Sequence, residues 1–197
     1  MFNTERALGV KLSVVPCRGW RRKAWYDATG LPWTNPSPNM RSLTEATLYP
    51  GVGVLEFCAL SVGRGTGTPF EVIGAPYIDD LRLAAELNAA ELPGVRFVPT
   101  RFTPTASVFQ GKECGGVQIL VTDRDRLRAS DLGMLLTSTL YRLYPTELKP
   151  ERLGTLLGDA ATWEAIQAGK PLKAILKVRD RGMRAFERRR SRYLIYR

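Results

Sequence analysis

The stretch DDLRLAAELNAAELPGVRFVPTRF, residues 79–102, decides the class of fold. Asp79 offers a side-chain acceptor at a helix start, and the helix it caps is predicted to run to about Leu92. Pro93-Gly94 stops it, because proline cannot continue a helix and glycine tolerates the turn that follows. Val95 to Phe102 then reads as a β-strand. A helix handed directly to a strand in one chain implies a mixed α/β or α+β domain.

Working outward, Val117 to Thr122 is predicted as the next strand, and Gly115-Gly116 ahead of it implies close backbone packing. Asp131 opens an amphipathic helix with Leu132, Leu135, Leu136, Thr139, Leu140 and Leu143 on one stripe and Pro145 beyond its end. On the other side, Ser42 or Thr44 caps a short helix through Leu48, ended by Pro50-Gly51. Val52 to Leu60 alternates, so it reads as a strand with Val52, Val54, Glu56, Cys58 and Leu60 on one side. Residues 1–8 read as the last turns of a helix ending at Gly9, and Lys11 to Val15 as a short strand closed by Pro16. Such a start resembles the tail of an α/β unit, with Met1 then an internal methionine. Residues 150–192 read as short helices and a final basic one. The expected architecture is a mixed sheet with flanking helices and a helical carboxy-terminal tail.

Composition removes several function classes. Hydrophobic residues make up 44% and charged residues 24% of 197 residues, which suits an ordinary core rather than disorder. No apolar run approaches the ~18 residues that a membrane-spanning helix needs, and Met1 to Arg6 lack the order of a secretory signal. The chain reads as soluble, with no membrane partner. There is no histidine, so neither a His-containing zinc site nor a Ser-His or Cys-His nucleophile is available. Cys17, Cys58 and Cys114 are odd in number and widely spaced, and read as buried free thiols. No metal and no cofactor is expected, and acid–base chemistry falls to carboxylates, tyrosines or lysines.

The net charge of +10 is concentrated at one end: residues 177–197 hold nine Lys/Arg against two Asp/Glu, a net of +7. Arg188-Arg189-Arg190-Ser191-Arg192 could hold phosphates. However, Leu172, Ile175, Leu176, Met183, Phe186 and Tyr193 recur at helical spacing, so the basic residues read as the solvated face of a terminal helix. Nucleic acid is the less favoured partner.

Two features point to chemistry. A carboxylate at Glu56, on the apolar face of a strand, must find a cation, accept hydrogen bonds or stay protonated; the bland alternative is an edge strand with Glu56 in solvent. The loop from Ser61 to Pro69 places glycines on both sides of Arg64, letting backbone approach a ligand closely. Arg64 brings a planar fork suited to a carboxylate or a pair of sugar oxygens. The loop is neither a Walker loop nor a GxGxxG fingerprint, since Thr68 stands where the third glycine belongs; a plain surface turn would explain it equally well. An Arg64–Glu56 ion pair would serve structure and function alike. Trp20, Trp25 and Trp33 are candidates either for a core or for a platform under a sugar ring.

Several runs, taken in order, resemble one family. They are Gly30-Leu-Pro-Trp-Thr-Asn-Pro-Ser-Pro-Asn-Met40, Leu60-Ser-Val-Gly-Arg-Gly-Thr66 with Pro69-Phe70, Ile73-Gly-Ala-Pro-Tyr77, Cys114-Gly-Gly-Val117 with Val121-Thr-Asp-Arg124, and the closing Tyr193-Leu-Ile-Tyr196. Together they are similar to the exo-β-N-acetylmuramidase (NamZ-type) glycoside hydrolases, a bacterial family formerly grouped as a domain of unknown function. The resemblance implies relatives about twice this length, with a Rossmann-like amino-terminal half, a smaller second half and a cleft between. Residues 1–33 would then be the end of the first half and 34–197 the substrate-recognising second half.

The implied activity is release of β-linked N-acetylmuramic acid from non-reducing ends of peptidoglycan fragments during wall recycling. The implied partners are a muropeptide or peptidoglycan-derived saccharide and the missing amino-terminal domain. Arg64 would suit the lactyl carboxylate of that sugar, with Ser61, Thr66, Asn39 and Trp33 on the same wall and Glu56 as the candidate catalytic carboxylate. Family sequences often carry Thr-Asn where this chain has Cys58-Ala59, which removes two polar groups beside Glu56. Glycosidases generally use two carboxyl groups about 5–10 Å apart, so a second is expected from the other half and the isolated chain is expected to be poorly active. The competing reading is a basic, non-enzymatic module that binds an anionic polymer, cell wall or nucleic acid, through residues 177–197.

Overall fold

A computed structural model describes residues 1–196. In chain order the elements are α1 (Phe2–Glu5), α2 (Leu43–Val52), β1 (Val72–Ala75), α3 (Asp80–Asn88), β2 (Val95–Phe102), β3 (Cys114–Val121), α4 (Ala129–Leu143), α5 (Leu153–Leu157), α6 (Ala160–Gln167), α7 (Leu172–Arg179) and α8 (Met183–Ser191). They divide into two compact units, Trp33–Arg179 and a smaller one made of Met1–Pro32 with the residues from Asp180 onward.

In the larger unit, β1, β3 and β2 form a three-stranded sheet in that order, antiparallel at both pairings. The fold is mixed α and β, as residues 79–102 imply, with the antiparallel pairing typical of α+β domains. Asp79 caps α3 by accepting the Arg82 amide at 2.9 Å. The helix ends at Asn88 rather than Leu92, and Asn88 turns back to hold β2, donating to the Phe97 carbonyl at 2.7 Å and accepting its amide at 3.1 Å. Leu83 and Leu87 of α3, Phe97 and Ile119 of the sheet, and Leu132, Leu136 and Leu140 of α4 meet in one buried core.

The largest departure from the sequence reading is at Val52 to Leu60, which is not a strand. Ser42 and Glu45 form a reciprocal capping box at the start of α2. The helix then runs through Pro50 and Gly51 to Val52 and passes into a 3-10 turn, Gly53–Leu55. Leu48, Val52 and Leu55 are all fully buried, and their i, i+4, i+7 spacing is that of a helix face. Gly51 lets α2 lie against α4, since a Cβ there would meet backbone at Ala129 and at the Gly133 amide, 3.1 Å away.

β1 was not foreseen. Val72, Ile73, Gly74 and Ala75 are buried on both faces, so four residues without alternation leave no period to read. Between α7 and α4, Arg179 donates to Asp131 in the first turn of α4 at 2.7 Å, both side chains largely buried.

In the smaller unit Lys11 to Val15 forms no strand; Leu12 is 66% and Val15 90% exposed. An extended apolar segment needs a neighbouring strand to complete its hydrogen bonds, and none lies beside it among the described residues. Asn3 closes the turn after α1, donating to the Val10 carbonyl at 2.7 Å and accepting its amide at 3.0 Å. The expected basic terminal helix is α8, separated from α7 by Gly182 at φ 75°. Arg188 to Arg190 lie on its exposed surface. Of the three cysteines, Cys58 and Cys114 are buried, but Cys17 is exposed, in contrast to the buried state expected of all three.

Candidate functional site

The glycine-rich segment folds as a tight, multiply anchored loop. Ser61 pairs with Gly74 through both backbone groups, at 2.8 and 2.9 Å, which joins the loop to β1. Phe70 returns its amide to the Val62 carbonyl at 2.8 Å, closing the base. Gly63 and Gly65 both adopt φ 80°, a region that residues with a Cβ rarely enter. Inside the turn the Thr66 hydroxyl donates to the Gly63 carbonyl at 2.7 Å and accepts the Thr68 amide at 3.1 Å.

Two side chains from elsewhere hold the tip. Arg41 Nη2 donates to the carbonyls of Thr66 and Gly67, each at 2.9 Å. Thr105 gives both its amide, at 2.9 Å, and its hydroxyl, at 2.7 Å, to the Gly65 carbonyl. Arg41 in turn is seated by Glu45, whose buried carboxylate accepts the backbone amides of Arg41 and Ser42 and lies 3.9 Å from Arg41 Nε. Beside the tip is a cleft of about 600 Å³ lined by Asn39, Arg41, Thr66, Phe102, Thr103 and Thr105, with Pro38 and the backbone of Gly65 and Gly67.

Glu56 and Arg64 form the anticipated ion pair. Arg64 Nη2 and Nε approach Glu56 Oε1 at 2.5 and 2.8 Å, with side-chain exposures of 33% and 21% for Arg64 and Glu56. The guanidinium also lies 5.3 Å from the centroid of the buried Phe70 ring. Glu56 reaches this position from the end of the 3-10 turn, not from the apolar face of a strand. Cys58, two residues on, is part of the core. Burial pushes its thiol up to about 12, with the charge of Glu151 adding to the effect, so it stays a neutral apolar filler.

The residues singled out from sequence therefore separate. Asn39 and Thr66 line the cleft. Arg64 and Glu56 are paired to one another and are not among its lining residues. Ser61 is buried, with its hydroxyl accepting the Gly63 amide at 3.3 Å. Trp33 donates its indole N–H to the Met40 carbonyl at 3.2 Å, bracing the turn that presents Asn39. Arg41, Glu45, Glu71 and Thr105 were not anticipated. The capping-box spacing Ser42 to Glu45 was the one available signal, and it marks a helix start more often than a site.

Glu71 closes the loop beside this cap, and the Ser42 hydroxyl lies 3.4 Å from its Oε1. Burial pushes the Glu71 carboxyl above its ordinary 4.5, the neighbouring charge of Glu45 adds to the rise, and the Ser42 hydrogen bond opposes it. The folded chain thus holds the Glu71 proton more tightly than the unfolded chain does. Its contribution to stability is complete below the ordinary value and is lost as pH climbs through the raised folded value. Glu71→Gln is therefore expected to raise Tm near neutral pH and to leave it unchanged in acid where Glu71 is already protonated. An equal gain at both pH values would exclude charge as the cause.

Comparison with known proteins agrees along the whole chain. The sequence profile described as exo-beta-N-acetylmuramidase NamZ, C-terminal, matches residues 47–196, and its N-terminal counterpart matches residues 1–44. The chain is 39% identical over 199 residues to the peptidoglycan beta-N-acetylmuramidase NamZ of Bacillus subtilis (strain 168), spanning all of this chain and 48% of that protein. A DUF1343 family protein of Bacteroides fragilis has a crystal structure similar at a TM-score of 0.88 and 27% identity, over 100% of this chain and 54% of that one. A second from the same organism gives 0.68 at 22% identity, over 94% and 49%, a likeness of fold alone. The chain spans about half the length of these relatives.

Proposed function

The chain belongs to the exo-beta-N-acetylmuramidase NamZ family, and from that premise we propose that it is the carboxy-terminal, substrate-recognising part of a peptidoglycan-processing exo-β-N-acetylmuramidase. Residues 34–197 then supply one wall of a saccharide cleft, and residues 1–33 are the end of an amino-terminal Rossmann-like domain. The observation that carries this reading is the anchored glycine loop. Its tip carbonyls are held by Arg41 and Thr105, so the wall beside Asn39 and Thr66 is rigid before any ligand arrives.

Glu56 and Arg64 act behind that wall in this proposal. Their short ion pair holds the Glu56 carboxylate outside the cleft lining. Hydrolysis of a glycosidic bond generally takes two carboxyl groups, and in this proposal they come from the remainder of the polypeptide. The exposed Val10, Leu12, Val14 and Val15 provide apolar surface of the kind that an adjoining domain covers. A free-standing basic module is not favoured by the family to which the chain belongs.

The test is turnover of a chromogenic N-acetylmuramide. Residues 1–197 alone are expected to be slower by about a hundredfold or more than a chain extended to the length of the relatives, because half of the positioning groups are absent. Comparable rates from the two forms would refute the proposed division of the site.

A further inference from the structure

We infer that Arg41, and not Arg64, is the residue that meets an anionic group on the ligand, so that the cleft beside the glycine loop takes a carboxylate-bearing saccharide. The inference rests on the saccharide reading above and adds the chemistry that selects among sugars.

The two arginines differ in what they have left to offer. Arg64 already faces a carboxylate at 2.5 Å, packs over Phe70, and does not line the cleft. A second anion there would have to compete with Glu56 for the same charge. Arg41 lines the cleft and is the only charged residue among the described residues that do. Its Nη2 is spent on the carbonyls of Thr66 and Gly67, which fixes the plane of the guanidinium. Among the described residues Nη1 has no hydrogen-bond acceptor, and Glu45 Oε1 is ion-paired with Arg41 at 3.9 Å from Nε, too far for a hydrogen bond. The other Glu45 oxygen, Oε2, accepts the backbone amides of Arg41 and Ser42.

With Nη2 held by two carbonyls, no two-nitrogen edge of the guanidinium is left, and Nη1 is the donor it can offer to one oxygen of a carboxylate. Around it the lining is uncharged and suited to a sugar: the Asn39 amide, the hydroxyls of Thr66, Thr103 and Thr105, and the Phe102 ring. One cation among neutral polar groups matches a ligand with one negative charge and several hydroxyls.

The experiment titrates the chain with three probes while amide NMR spectra are followed: N-acetylmuramic acid, its uncharged methyl ester, and N-acetylglucosamine. The acid is expected to bind about tenfold or more tightly than the ester, the scale of a hydrogen bond to a charged group, with shifts at Asn39, Thr66, Thr103 and Thr105. Arg41→Gln is expected to abolish that preference, Arg41→Lys to keep part of it, and Arg64→Gln to keep all of it. Unchanged amides outside the cleft establish that each variant is folded. A preference that survives Arg41→Gln, or disappears in Arg64→Gln, overturns the assignment. Equal binding of acid and ester by the unaltered chain overturns it while leaving the saccharide reading intact. Absence of cleft shifts with all three probes overturns both.

Discussion

Gly116→Ala is expected to destabilise the chain severely, lowering Tm by roughly 10 °C or preventing soluble expression. Gly116 lies in the central strand β3, opposite Gly74 of β1 and Thr100 of β2. A Cβ added there would overlap the Ile73 carbonyl oxygen and sit 2.6 Å from Gly74 Cα and 2.8 Å from the Ile73 carbonyl carbon. All three are backbone atoms, so no side-chain rotation relieves the contact. The sheet must open between β1 and β3, or the fully buried Ile73 must shift in the core. Overpacking costs typically 1–3 kcal/mol and more where neighbours cannot move. At about 2–4 °C per kcal/mol for a chain of this size, a loss near 3 kcal/mol gives the stated shift. Gly67→Ala is the matched control, since a Cβ there meets nothing within 4 Å. If thermal denaturation followed by circular dichroism gives both variants the same Tm, β1 and β3 do not approach as closely as described.

The same crowding explains what could be read from the sequence and what could not. Elements whose signals are local were legible. Asp79 and Pro93-Gly94 framed α3, Leu132 to Leu143 announced α4, and Gly115-Gly116 marked close packing. Val52 to Leu60 misled because two periods coincide there: Val52, Val54, Glu56, Cys58 and Leu60 alternate, while Leu48, Val52 and Leu55 keep helical spacing. Tertiary packing against α4 through Gly51 and Gly133 resolved it toward the helix, and Pro50 did not prevent this. In the site, the glycine loop and the Arg64–Glu56 pair were legible because they sit close in sequence. Arg41, some 25 residues before the carbonyls it holds, and Thr105, 40 residues beyond its partner, were not, because nothing local marks a side chain that serves a distant backbone.

Gly65→Ala is the second large effect, and it should strike the cleft harder than the fold. Gly65 takes φ 80°, where a side chain costs about 1–2 kcal/mol. The added Cβ would also collide with the Ala106 amide and lie 2.9 Å from the Ala106 carbonyl oxygen and 3.0 Å from its Cα. Unlike the strand around Gly116, residues 103–112 are irregular and partly exposed, so the collision can be relieved by moving that segment away. Doing so breaks both hydrogen bonds from Thr105 to the Gly65 carbonyl, and Thr103 and Thr105 leave the wall they share with Arg41. The expected result is a fall in Tm of only a few degrees, about 3–6 °C, with a loss of about a hundredfold in the muramidase turnover proposed for the longer form, the scale of misplacement by about 1 Å. Gly67→Ala, in open space on the same loop, should lose neither. The contrast isolates loop placement from loop composition: should Gly65→Ala retain turnover while Tm falls, the wall beside Arg41 is not where the sugar sits.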